Sequence, residues 1–562
     1  MKNHKYSKVK SHSAINMFFS GVLILTIANI LVKAVGLISK IALNRVVGSI
    51  GAGYYSSAYE IYAFLYVIST SGLPVALSIM VSKSRARGRF KEAKKIFNVA
   101  IVLFLIIGTI FASLMIFLSS DIANLISAPK TTICIIAIAP TILFVCLSSC
   151  MRGYFQGFQL MRPTAISQFI EAMCKVLVGV GFAMWAKSHG YDDYIVAAFT
   201  ILGVTLGVLL GMCYLYVKKL FFKDKIYNDA YLYEINTNTC MNILEDENCK
   251  TSKDILKELL KIAIPITISS SVLSLTTIID TVMVQGRLIS YGLEENLVRI
   301  YYGDYTSLVI SMCNLPTILF YPIANALVPL ISSSQESNNF EASEKIRSFS
   351  IRVINLIAIP CAIGLGVFSK PILDLLMFKT DSVERAAPWL SIASVSVIFL
   401  GLIAATNAFL NTSGKQKFPV ISMLIGASAK LVFNFILVGE LGIIGAPIAT
   451  VICYLFASCA NIFFTVKYVG NLPDVKKMLL MPLFCSVASI GASAVLYFAL
   501  SQVFHSKIAT IICILFALFS YLLLVIKTRT IKDDEISLLP EGEKIVKILK
   551  KVKILSKNSD FN

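Results

Sequence analysis

The chain has 562 residues, 57% of them hydrophobic and only 15% charged, with a formal net charge of +19. A soluble protein of this length would carry about a quarter charged residues, so a soluble multidomain class is excluded. The apolar runs between the charge clusters are about 20 residues long, the length that crosses a ~30 Å hydrocarbon core. The positive balance reads as membrane topology and attraction to anionic lipid, not as a nucleic-acid footprint.

In chain order, a polar tail (1–15) precedes the first apolar run, which starts near Met17. That run lacks a small-residue cleavage site and many spans follow it, so it reads as a retained helix, bending and running on to about Val47. Fourteen spans are expected, centred near residues 27, 70, 108, 141, 175, 206, 270, 317, 360, 399, 429, 454, 490 and 517. They group into an N-terminal lobe (16–217), a polar cytoplasmic linker (218–257) and a C-terminal lobe (258–468), followed by spans 13 and 14 (469–527). A basic tail (528–562) ends the chain, and its segment EKIVKILKKVKILSK spaces apolar residues for a helix lying on anionic lipid of the inner leaflet. Lysine and arginine crowd this tail and the loop KSRARGRFKEAKK (83–95), which places both termini in the cytoplasm.

The first span carries a polar stripe at helical spacing: Asn29, Lys33, Gly36, Lys40 and Asn44. Further along, ISQFIEAMCK (166–175) and ISMLIGASAK (421–430) share Ile, Ser, Ile, Ala and Lys at one spacing, each inside an apolar run. A second pair, ALSIMVSKSRARGRFKEAKKI (76–96) and ALVPLISSSQESNNFEASEKI (326–346), repeats at nearly the same offset. Spans 1–6 and 7–12 are therefore read as two related halves. Six spans each give them one orientation, as in transporters built from parallel repeats with a substrate path between the halves.

A mid-helix lysine costs roughly 2.5–3.5 kcal/mol on insertion scales, so it persists where it meets a partner or a wet cavity. Lys175 has Glu171 one turn earlier as a candidate partner, whereas Gly426 stands at that place relative to Lys430. Lys33, Lys40, Lys175 and Lys430, with Asn29 and Asn44, are thus the candidate anion-binding set. Glu60, Glu171 and Asp280 are the candidates for ion coupling or charge pairing. No catalytic group, metal site or cofactor is expected. The histidines are only His4, His12, His189 and His505, none of them mid-membrane, and Cys146 with Cys150 has no histidine near.

The opening region NILVKAVGLISKIALNRVVGSIGAGYYSSAYEIYAFLYVISTSGLPVALSIMVSKSRARG resembles polysaccharide and lipid-linked-oligosaccharide flippases of the MATE-like MOP superfamily. The segment IAIPITISSSVLSLTTIIDTVMVQGRL (262–288) is similar to the stage V sporulation protein B branch, which also includes Gram-positive lipid II flippases. The resemblance implies an all-α membrane protein of about fourteen transmembrane helices. Its two six-helix repeats would form a V-shaped bundle with a cationic cavity, plus two extra C-terminal helices. It further implies export of undecaprenyl-diphosphate-linked sugars across the bacterial plasma membrane, among them lipid II for spore cortex peptidoglycan, and nothing in the sequence requires more than a monomer. Lys33 falls where lipid II flippases have a first-helix arginine, while other arginines of that pattern align with Ser39, Tyr66 and Ser311. A flippase for another lipid-linked polysaccharide unit is the alternative, followed by a MATE-type multidrug antiporter, although the first span here carries lysines and no acid.

Overall fold

The structure is a computed structural model that describes residues 2–87, 89–237, 250–321, 323–324, 340–376, 380–470 and 476–528. The side chains of residues 2–30 and of Lys33, much of the linker, the repeat segment 325–339 and the tail beyond 528 lie outside the described residues. All regular structure described is helical, the arrangement that satisfies every backbone polar group inside lipid. Nine helical stretches among the described residues are long and apolar enough to cross a membrane, or up to ten if the bent pair Asp381–Ala393 and Ser396–Thr412 (44°) is one span. Two of the nine, Ala34–Arg85 and Lys417–Tyr468, run 52 residues each, more than twice the ~20 that one crossing needs. The all-α multi-pass class expected from composition is thus what the chain adopts.

The chain divides into two compact units, Met1–Gly303 and Asp304–Asn562. The first opens with α1 (Lys2–Thr70), which bends at Gly48, one residue beyond the point where the first span was expected to end. Gly48 sits at φ 76°, ψ 177°, a backbone region open in practice only to glycine. There follow α2 (Gly72–Ala86), α3 (Phe90–Phe117), α4 (Thr132–Gly157), α5 (Arg162–Ser188), α6 (Asp193–Thr237), α7 (Ser252–Ser290) and α8 (Glu295–Asp304). Leu43, Val47, Phe104, Ile142, Phe155 and Leu259 belong to one buried apolar core.

Helices α5 and α6 approach closely because α6 presents glycines. A Cβ on Gly203 would stand 2.3 Å from the Gly179 backbone, and one on Gly211 would stand 2.9 Å from Glu171 Cγ. Lipid supplies no hydrophobic drive between helices, so small residues that permit backbone contact do much of the joining. Here they also leave the space that the Glu171 side chain fills.

The second unit contains α9 (Phe340–Val367), α10 (Thr380–Ala393), α11 (Ser396–Thr412), α12 (Lys417–Leu441), α13 (Gly445–Tyr468), α14 (Met481–Ser501) and α15 (Ser506–Lys527). Gly442 at φ 62° ends α12, and Gly445 lets α13 start against it, since a Cβ there would stand 2.4 Å from the Leu437 carbonyl carbon. The Tyr521 hydroxyl of α15 donates to the Leu356 carbonyl at 2.8 Å, and Asn355 donates to the Met478 carbonyl at 3.1 Å. These bonds tie the last helices onto α9.

Candidate functional site in the first unit

Beyond its bend, α1 carries Tyr55, Tyr59, Tyr62 and Tyr66, a spacing that places all four on one helix face. Successive ring centroids lie 5.5, 5.6 and 5.8 Å apart. Lys175 of α5 reaches this ladder. Its Nζ lies 4.2 Å from the Tyr59 centroid and 5.9 Å from that of Tyr55, within the range of cation–π attraction. Tyr66, at the other end, adjoins Arg152 of α4.

Glu171 is one turn from Lys175, yet it forms its ion pair with Arg152. The same guanidinium donates from Nε to Ser167 Oγ at 3.0 Å. Each of these two polar groups of α5 thus finds Arg152, from a helix that local spacing could not nominate. No carboxylate among the described residues forms an ion pair with Lys175. An ammonium held by aromatic faces keeps most of its field available, and lysine suits phosphate as a point charge that can let go.

Lys40 is half-buried, with Glu60 and Lys175 as its charged neighbours. Glu60 is half-buried, Asp280 of α7 is buried, and the charges of both reach Tyr302, whose hydroxyl donates to Thr281 Oγ1 at 2.9 Å. Lys40, Glu60, Lys175 and Asp280 therefore share one polar neighbourhood. Asn44 is fully enclosed, and among the described residues neither Oδ1 nor Nδ2 has a hydrogen-bond partner. The side chains of Asn29 and Lys33 lie outside the described residues. Lys430 belongs to the second unit: it is 2% exposed on α12, with the fully buried Asn434 one turn on. Among the described residues no three His, Cys, Asp or Glu side chains group to hold a metal.

Several polar groups escaped the sequence reading. Arg152 follows an apolar run in SSCMRGYFQG and resembles a boundary charge until α5 is in place. The tyrosine spacing was legible, but its meaning depends on Lys175. Arg299, 1% exposed, donates to Gln285 Oε1 and the Ser127 carbonyl and lies 5.8 Å over Tyr54. In the second unit, buried Asp304 accepts from Arg385 Nη2 and Nε at 2.8 and 2.9 Å.

The polysaccharide biosynthesis protein family model matches residues 18–335, and the MatE model matches 305–436. The chain is 26% identical over 533 residues to stage V sporulation protein B of Bacillus subtilis (strain 168), covering 93% of this chain and 98% of that one. It is 24% identical over 491 residues to the lipid II flippase MurJ of the same organism, covering 84% and 88%. Among solved structures it resembles a lipid II flippase MurJ in an inward closed conformation, with TM-score 0.65 and 16% identity over 90% of this chain and 99% of that one. It also resembles an inward-facing MATE family multidrug resistance transporter of the MOP superfamily, with TM-score 0.61 and 14% identity over 79% and 97%. With more than half of its length matched by the family model, the chain belongs to the polysaccharide biosynthesis protein family and has the helical fold of MurJ and the MATE transporters.

Proposed function

We propose that the chain flips undecaprenyl-diphosphate-linked sugar precursors, of the lipid II type used for peptidoglycan and spore cortex, from the inner to the outer leaflet of a bacterial plasma membrane. The observation that carries this reading is Lys175: a cation in a membrane-spanning helix, seated on tyrosine faces while Glu171, one helical turn away, is engaged by Arg152. Family membership and the likeness to stage V sporulation protein B and MurJ support the substrate class.

In this reading Lys40 and Lys175 attract the diphosphate, with Lys33, Asn29 and Asn44 extending the polar path, and Lys430 is the matching cation of the second repeat. The half-buried rings of Tyr59 and Tyr66 offer a stacking platform for the sugar. The lipid tail stays in the bilayer while the two repeats rock between inward- and outward-open states. Both termini remain cytoplasmic, and the protein works as a monomer. An inside-negative potential favours outward movement of an anion by ~2.3 kcal/mol per charge per 100 mV. Glu60, Asp280 and the Glu171–Arg152 pair are where an ion would couple.

The MatE match over 305–436 favours one second reading, antiport of organic cations. Proteoliposomes separate the two. Fluorescent undecaprenyl-diphosphate muropeptide, an undecaprenyl diphosphate bearing an unrelated sugar, and ethidium would be compared as cargo. Movement of the muropeptide lipid alone supports the first reading. Movement of the unrelated sugar lipid alone shifts the substrate to another polysaccharide unit, and ethidium efflux alone supports the antiporter.

A further inference from the structure

One end of the α12–α13 hairpin carries a cluster that the transport path does not use. Phe418 of α12 packs on Tyr468 and Phe464 of α13, with ring centroids 4.4 and 4.6 Å apart. Two exposed lysines converge on the exposed Tyr468 ring: Lys415 Nζ lies 5.5 Å and Lys467 Nζ 5.4 Å from its centroid. Lys467 is also 5.8 Å from the Phe463 ring, and Lys417 is exposed at the start of α12. Beside them, Gly470 makes room for the Arg347 guanidinium of α9, since a Cβ there would stand 3.1 Å from Nη2. Glu344 is the acid that acts on Arg347. No carboxylate among the described residues pairs with Lys415, Lys417 or Lys467.

Two ammonium groups drawn to one ring repel each other, and a single anion between them removes that repulsion. With the N-terminus cytoplasmic, as the lysine and arginine distribution implies, the alternation of the expected spans puts this end of the hairpin on the cytoplasmic side, at headgroup depth. There tyrosine favours the interface, and basic clusters between helix ends select anionic lipid. Along the same two helices Ile421, Leu424 and Phe463 remain exposed, an apolar continuation for acyl chains. We propose that Lys415, Lys467 and Tyr468 form a headgroup site for an anionic phospholipid of the inner leaflet, the two ammonium groups sharing its phosphate. The site lies in the second unit, apart from the tail beyond residue 528, and does not depend on the transported substrate.

The test uses full-length protein in nanodiscs containing a photoactivatable phosphatidylglycerol, with crosslinks mapped by peptide mass spectrometry. Wild type is expected to crosslink within 411–418 and 463–470. Lys415→Gln/Lys467→Gln should lower that yield at least fivefold at unchanged melting temperature, while Lys415→Arg/Lys467→Arg keeps it. Equal crosslinking of wild type and the Gln variant overturns the proposal, as does equal labelling by a photoactivatable phosphatidylcholine. Undecaprenyl diphosphate displacing the phospholipid at equimolar concentration also overturns it, because the cluster would then belong to the substrate. Should the Gln pair fail to fold, Tyr468→Leu must lower the yield at least twofold for the proposal to stand.

Discussion

Lys175 and Glu171 stand one helical turn apart, and a pairwise reading of α5 would join them. The fold joins Glu171 to Arg152 and gives Lys175 to Tyr55 and Tyr59. Breaking a buried ion pair strands a charge and costs about 3–5 kcal/mol, whereas removing both partners is often near neutral. Arg152→Leu should therefore lower the melting temperature in detergent far more than Arg152→Leu/Glu171→Leu does. If the two variants melt alike, the pair is not what holds this junction. Lys175→Met, by contrast, should leave the melting temperature within the range of surface substitutions while substrate binding falls at least tenfold. A large stability loss in that variant would make Lys175 a packing residue. These partners were not readable from the chain because each comes from a different helix, and spacing along one helix reports only its own face. The tyrosines were in plain view at 55, 59, 62 and 66, but a ladder of rings means little until a cation is laid on it.

At the scale of elements, the sequence was most informative. Long apolar runs imply helices in lipid without further argument, and the first helix, expected to run on to about Val47, breaks its regular backbone at Gly48. The family expected from NILVKAVGLISK onward is the one that the matched residues 18–335 confirm. Close approaches were less legible, since a glycine in an apolar run looks the same whether it faces lipid or a neighbouring backbone. Gly181 has nothing within 4 Å of a built Cβ, while Gly203 would strike Gly179 at 2.3 Å. Gly203→Leu should accordingly unfold or grossly destabilise the α5–α6 pair, and Gly181→Leu should be tolerated. Near-equal melting of these two variants would contradict the packing described. Gly48→Ala should cost about 1–3 kcal/mol through backbone strain alone, seen as a lower melting temperature without loss of helical signal.

At the scale of the whole molecule, the proposal rests on cations that sit where lipid alone would exclude them. A substrate carrying net negative charge outward should move faster under an inside-negative potential. With potassium-loaded vesicles and valinomycin, translocation should accelerate as the imposed potential grows, and a rate indifferent to potential would mean that lysines move with the substrate and cancel its charge. The most direct measurement follows fluorescent undecaprenyl-diphosphate muropeptide to the far leaflet of reconstituted vesicles for wild type, Lys175→Ala and Lys430→Ala. The account predicts translocation by wild type and at least a tenfold loss in each variant at unchanged melting temperature. Variants that keep pace with wild type would contradict it, leaving both lysines structural and the anion path elsewhere.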